Sequence, residues 1–218
     1  MRAALIASAA LLAAGAYVMW RQSQAEADTL EQAGDWLGNA LEETAQLLDT
    51  ATMGILRLSN MRTVTGADVA HPNVRAFLAV IRRGEGTSDG NGYRRIFGGE
   101  LFASYADHPR KEVTKTFKNG QTVTSTAAGA YQFLASTWDE TARIMGLGDF
   151  SPANQDRGAV GRLAARGALE DIKAGRFAEA IQKTAKEWAS LPGSPYGQPV
   201  ISMTTAQAVY AEAGGVFA

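Results

Sequence analysis

The chain has 218 residues, 46% of them hydrophobic and 20% charged, enough for one globular domain of ordinary size with an appendage. A formal charge of -1 argues against a dedicated nucleic-acid binder, and the absence of cysteine excludes disulfides, thiolate metal sites, iron–sulfur clusters and thiol nucleophiles. With two histidines, His71 and His108, and neither GxGxxG nor GxxxxGK[ST] anywhere, we expect no metal and no organic cofactor.

Ala3 to Trp20 is a run of 18 uncharged residues between Arg2 and Arg21, close to the minimum that crosses a bilayer as a helix. Eight of the 18 are Ala, so the run is only weakly apolar. Three readings compete. A retained membrane anchor over residues 1–21 would export the chain beyond Arg21. A cleaved signal peptide could use Ala25-Glu26-Ala27. The third is a buried soluble helix. The anchor is the favoured expectation, and so marginal a span could also leave the bilayer slowly.

Residues 22–70 are expected to form an acidic helical stalk and linker. Residues 21–70 carry 3 basic and 8 acidic side chains, whereas residues 71–218 carry 17 and 14. Leu30, Leu37, Leu41, Thr44, Leu48, Ala51, Ile55 and Leu58 fall on a seam of heptad-like spacing. Self-association through that seam competes with a helix lying on a membrane or on the next domain. Met61 to Ala70, rich in Thr, Gly and Asp, reads as a linker.

From Asn73 the pattern changes. Val74, Phe77, Leu78 and Ile81 mark one face of a helix that stops at Gly84-Glu85-Gly86. Glu85 then sits at a helix C-terminus, where the macrodipole and partial burial both raise a carboxyl pKa toward that of a general acid. A solvated loop carboxylate between two glycines is the plainer alternative. Lys115 to Lys118 and Gln121 to Thr124 flank Asn119-Gly120, the signature of a two-residue type I′ hairpin. Thr126 to Ala130 is a small-residue stretch leading into Tyr131-Gln132-Phe133. Ser136 is placed to cap a helix ending at Gly146, and Ser151-Pro152 to open another ending near Gly167. Phe177, Ile181, Ala185 and Trp188 mark a third helix, and Thr205 to Glu212 a fourth. Between the last two lies Leu191 to Pro199, too broken by Pro and Gly for a regular element and, with its Tyr and Gln, suited to a sugar.

Residues 73–215 resemble the lambda-type phage endolysins, lysozyme-like lytic transglycosylases of peptidoglycan. The matching stretches are Gly84-Glu-Gly-Thr87, Gly98-Gly-Glu-Leu-Phe102, Tyr105-Ala-Asp-His-Pro-Arg-Lys111, Ser125 to Gln132, Asp149-Phe-Ser-Pro152 with Gln155-Asp156, Arg166-Gly-Ala-Leu169, and Trp188 to Gly193 with Tyr196-Gly-Gln198. The loop between Glu85 and Tyr93 looks shorter than in that family and the hairpin longer, so the cleft rims differ. The N-terminal segments have no counterpart in that soluble enzyme.

The resemblance implies an α+β, mostly helical, lysozyme-like domain over residues 71–218, with a small β-hairpin region and a cleft between lobes. It makes Glu85 the single catalytic carboxyl. The substrate implied is the β-1,4 bond between N-acetylmuramic acid and N-acetylglucosamine, cut without water to leave a 1,6-anhydro ring. Tyr131, Gln132, Tyr196 and Gln198 are the candidates for sugar contact, because rings stack on pyranose faces and amides bind acetamido groups. Trp188 and Trp138 read as core. A hydrolase would need a second carboxyl, for which Asp89, Glu100 and Asp107 are the candidates. The setting implied is an inner-membrane anchor with the catalytic domain in the periplasm, or association with a virion, serving host lysis or wall penetration early in infection. The competing reading is a non-catalytic, membrane-anchored component that binds peptidoglycan strands.

Overall fold

The computed structural model describes residues 41–42, 44–45, 52, 54–116, 120 and 122–218. The chain divides into two units, residues 1–55 and 56–218. In the first, the described residues are helical; the expected span over 3–20 and most of the stalk lie outside the described residues. No helix among the described residues is long and apolar enough to cross a membrane.

The second unit opens with helical residues through 62, whose Met61 is buried against Ile144 and Ala165. Where a linker was expected, Gly66–Ala70 forms a short helix, α1. Its start is fixed by a capping box: the Thr65 hydroxyl accepts from the Asp68 N–H at 3.2 Å, and the Asp68 carboxylate accepts from the Thr65 N–H at 2.9 Å. Lys173 closes on the same carboxylate at 3.0 Å.

Helix α2, Pro72–Gly84, carries the core. Val74, Phe77, Leu78 and Ile81, the face expected from spacing, are all buried. A two-stranded antiparallel sheet comes next, β1 Val113–Thr116 and β2 Thr122–Ser125, with Thr116 opposite Thr122. A two-residue loop at Asn119-Gly120 would instead place Thr116 opposite Val123, so the register expected from it is corrected by one step, while most of the turn itself lies outside the described residues. The observed register puts Val113 and Val123 on the half-buried face and pairs Thr114 with Thr124 and Thr116 with Thr122 outside, through hydroxyl contacts of 2.8 and 3.0 Å. Facing the apolar pair inward decides the register.

Four helices complete the core: α3 Ala135–Met145, α4 Pro152–Ala165, α6 Phe177–Thr184 and α7 Met203–Glu212, with a short α5 Leu169–Lys173 between α4 and α6 that spacing did not reveal. Ser151 caps α4 as expected, whereas α3 begins one residue before Ser136 and has no side-chain cap. Helix α6 stops at Thr184, so Trp188 lies beyond it; Trp188 and Trp138 are nevertheless buried. Trp138 packs edge-to-face against both Phe150 and Phe133, and Phe177, Tyr210 and Phe217 form a second cluster at the C-terminal end.

Candidate active site

Helix α2 ends in a Schellman motif. The Thr87 N–H donates to the Arg82 carbonyl at 2.9 Å and the Gly86 N–H to that of Arg83 at 3.4 Å, with Gly86 at φ +68. Glycine at this turn avoids the Cβ clash of the left-handed region. Glu85 is therefore the cap residue itself, and its backbone is set by hydrogen bonds on both sides. Thr87, fully buried, adds a hydroxyl bond to the Ala130 carbonyl at 2.6 Å, tying the turn to the segment across the cleft.

The cleft has a volume of about 320 Å³. It is lined by Phe97, Val123, Ser125, Ala127, Leu134, Thr137, Trp188, Ala189 and Gln198, together with Glu85, Tyr131, Gln132 and Phe133. Glu85 is half-buried, and burial pushes its carboxyl up to about 7, against the opposing pull of the Ser190 hydroxyl, which donates to Oε1 at 2.7 Å. The raised pKa expected for Glu85 is thus found, with burial as the leading cause. A carboxyl at that value is populated in both protonation states near neutrality, which is what a group that gives and then takes a proton requires.

The other cleft carboxylate is Glu187, whose side chain is 7% exposed and is held by Arg162 at 2.5 Å and Arg166 at 2.7 Å. The three carboxyls considered for a second catalytic role stand elsewhere. Asp89 is paired with Arg95, Glu100 with Lys111 and Asp107 with Arg110, and none of the three lines the cleft.

The four expected sugar contacts separate. Tyr131 reaches the cleft, but the residue is 2% exposed and its hydroxyl donates to Asp156 at 2.6 Å. It frames the site and has no open face for stacking, which corrects the expected role. Gln132 lines the cleft at φ 47, a strained value for a residue with a Cβ. Its amide nitrogen donates to the carbonyls of Gly129 at 2.9 Å and Arg95 at 3.1 Å, so the carbonyl oxygen is the end it can offer a ligand. Gln198 is exposed on the wall. Tyr196 is exposed, with its hydroxyl donating to the Lys186 carbonyl at 2.9 Å, and is not among the residues lining the cleft.

Several supporting residues escaped the sequence reading. Asp156 accepts from both Tyr131 and Tyr93, the latter at 2.8 Å, and burial with the Asp156 charge pushes Tyr93 up to about 12. Arg82 lies 4.8 Å over the Tyr93 ring and donates to the Thr87 carbonyl at 3.0 Å and the Asp89 carbonyl at 3.2 Å, holding the segment just after Glu85. Ser190 is 105 positions from Glu85; no local signal could have joined them.

A profile of the endolysin family matches residues 75–217. The endolysin of Escherichia phage lambda is 44% identical over 147 residues, covering 65% of this chain and 90% of its own. That of Escherichia phage P2 is 40% identical over 158 residues, covering 67% of this chain and 95% of its own. The solved structure of bacteriophage lambda lysozyme complexed with a chitohexasaccharide superposes with a TM-score of 0.62 at 41% identity, over 67% of this chain and 97% of that one.

Proposed function

We propose that this chain, which belongs to the endolysin family of lysozyme-like, peptidoglycan-cleaving enzymes, acts as a lytic transglycosylase on the β-1,4 bond between N-acetylmuramic acid and N-acetylglucosamine. The observation that carries this reading is the cleft's carboxyl inventory. Of the two carboxyls among the described residues that line it, Glu187 is tied to two arginines, and Glu85 takes only a serine hydroxyl. A hydrolase of the usual kind needs two working carboxyls, roughly 5–5.5 Å apart for retention or 6.5–9.5 Å for inversion. A single carboxyl suffices when the substrate supplies its own nucleophile.

In the proposed reaction Glu85, protonated, gives its proton to the glycosidic oxygen as the bond to C1 breaks. The resulting carboxylate takes the proton of the muramic acid C6 hydroxyl, whose oxygen closes on C1. Glu85 ends protonated and ready for the next bond; no water is consumed. The substrate's acetamido group stabilises the cationic centre. The lambda relative was solved with a chitohexasaccharide, which supports β-linked amino sugars as occupants of this cleft. Gln132, through its carbonyl oxygen, and Gln198 are placed to read the acetamido and hydroxyl groups.

Mass spectrometry of muropeptides released from purified peptidoglycan by the full chain tests this. Products ending in 1,6-anhydromuramic acid, with Glu85→Gln at least roughly 100-fold slower, are expected. Reducing ends would refute the transglycosylase and turn attention to Glu187 as a second carboxyl.

For delivery we propose that Ala3 to Trp20 anchors the chain in the inner membrane with residues 71–218 in the periplasm, on the strength of its uncharged run between two arginines. The full chain should then sediment with membranes and resist alkaline carbonate extraction. Recovery in the soluble fraction would sink the anchor.

A further inference from the structure

We infer that Ser190 is a positioning residue that assigns the two oxygens of Glu85 to different tasks, and that Gly84 is glycine so that Ser190 can come close enough to do it. The inference rests on the proposed single-carboxyl mechanism and adds the group that orients its proton.

The geometry starts at the end of α2. The Ser190 hydroxyl donates to Glu85 Oε1 at 2.7 Å. A hydroxyl carries one proton, so an Oε1 already accepting from Ser190 is the oxygen less suited to hold the acid proton. The proton then resides on Oε2, the atom left for the glycosidic oxygen and afterwards for the C6 hydroxyl. Without Ser190 no side-chain bond distinguishes the two oxygens, and the carboxyl is free to turn its proton away from the bond.

Ser190 is itself fixed from three directions. Its carbonyl accepts from the Ile201 N–H at 3.0 Å. Two residues earlier the Trp188 indole N–H donates to the Tyr131 carbonyl at 3.2 Å, and one residue later Leu191 is fully buried. The fourth constraint is steric. A Cβ built on Gly84 would stand 2.5 Å from the Ser190 Oγ and 3.1 Å from its Cβ. Gly84 is the last residue of α2 and has no positive φ to justify glycine. Alanine would otherwise favour the helix, so the glycine is explained by the approach of Ser190, the one residue a Cβ at this position would meet.

The two parts give one signature. Ser190 donation favours the charged carboxylate, so its loss moves the alkaline fall-off of kcat to higher pH, by roughly one unit, while orientation is lost and the plateau kcat drops about tenfold. The experiment is the pH profile of kcat and KM for bond cleavage by the full chain, counting all new chain ends whatever their chemistry. Ser190→Ala should show the upward shift and the lower plateau with KM within about twofold. Gly84→Ala, which keeps the hydroxyl and displaces it, should show the same pair of changes while unfolding no earlier than the parent. In the double variant the Gly84 change should add little, because no hydroxyl remains to displace.

A parental fall-off in Ser190→Ala, or a downward shift, overturns the inference. So does a parental profile in Gly84→Ala. Counting every new end keeps this test separate from the transglycosylase itself, which fails on end-group identity alone.

Discussion

A carboxyl held at a pKa of about 7 costs the fold something, and Glu85 shows how much. Its folded value lies above the unfolded value of 4.5 because burial disfavours the charge. The native state therefore binds its proton more tightly than the unfolded chain does. Stability contributed by the protonated form is complete below pH about 4.5 and is lost as pH rises to about 7. Above that, the parent folds with a poorly solvated charge that Gln lacks. Glu85→Gln is expected to be more stable than the parent by roughly 2 kcal/mol at pH 8, with little difference at pH 4. Paired denaturant melts at the two pH values check this; equal offsets at both would mean that the charge at Glu85 is not what the fold resists. Activity runs the other way. Because the proposed cleavage needs the protonated acid, kcat should fall as pH rises through the same value, so on that proposal the burial that costs stability above neutrality is also what keeps the acid protonated.

At the scale of elements, capping decides where chemistry can sit. Gly86 at φ +68 closes the Schellman turn that makes Glu85 a cap residue. Gly86→Ala is expected to cost about 1–2 kcal/mol and to lower kcat more than it raises KM, because the turn that aims Glu85 is strained while the cleft walls are untouched. A KM-only effect would show that the turn does not aim Glu85. Helix α1 makes an acid-sensitive counterpart. Asp68 is held down to about 2, the Thr65 N–H bond being the largest cause, with Lys173 adding to it. Its folded pKa lies below the unfolded one, so its contribution of roughly 1–2 kcal/mol is present above pH about 4 and is lost as pH falls toward 2. Asp68→Asn should flatten the stability profile in that window and leave it parallel to the parent above pH 5. Legibility in the sequence divides the same way. The Gly-Glu-Gly stop after an apolar helix face is a local signal and placed Glu85 correctly. The hairpin was legible as two strands, but Asn119-Gly120 suggested a register that the inward demand of Val113 and Val123 overrode. Tyr131 read as a sugar-stacking ring because composition cannot tell an open aromatic face from one whose hydroxyl is claimed by Asp156.

At the scale of the second unit, the site is built from four distant stretches: the end of α2, Phe97, the segment from Val123 to Thr137, and residues 187–198. Only the first declares its chemistry in sequence; the others are joined to it by bonds such as Ser190 to Glu85 and Thr87 to Ala130, which span 105 and 43 positions. The support at the N-terminal end of α2 is equally nonlocal. The buried Asn73 side chain donates to the carbonyls of Lys173 and Val216, both at 3.2 Å, and accepts from the Val216 N–H at 2.9 Å. One amide thereby ties the start of α2 to the end of α5 and to the C-terminal segment, where Phe217 packs on Phe177 and Tyr210. Asn73→Ala removes three part-buried hydrogen bonds, with the Val216 carbonyl keeping only the Tyr210 hydroxyl at 3.4 Å, and is expected to cost about 2–3 kcal/mol, or roughly 5–10 °C in Tm for a domain of this size. Glu85 lies at the opposite end of the same helix, roughly 18 Å away at 1.5 Å per residue, so the pH fall-off of kcat should remain parental at temperatures where the variant is folded. Calorimetry and the pH profile together decide the matter: an unchanged Tm would remove the C-terminal tie from the fold's supports. A moved fall-off at parental Tm would mean that α2 transmits strain along its length, and that the cleft depends on its far end for more than stability.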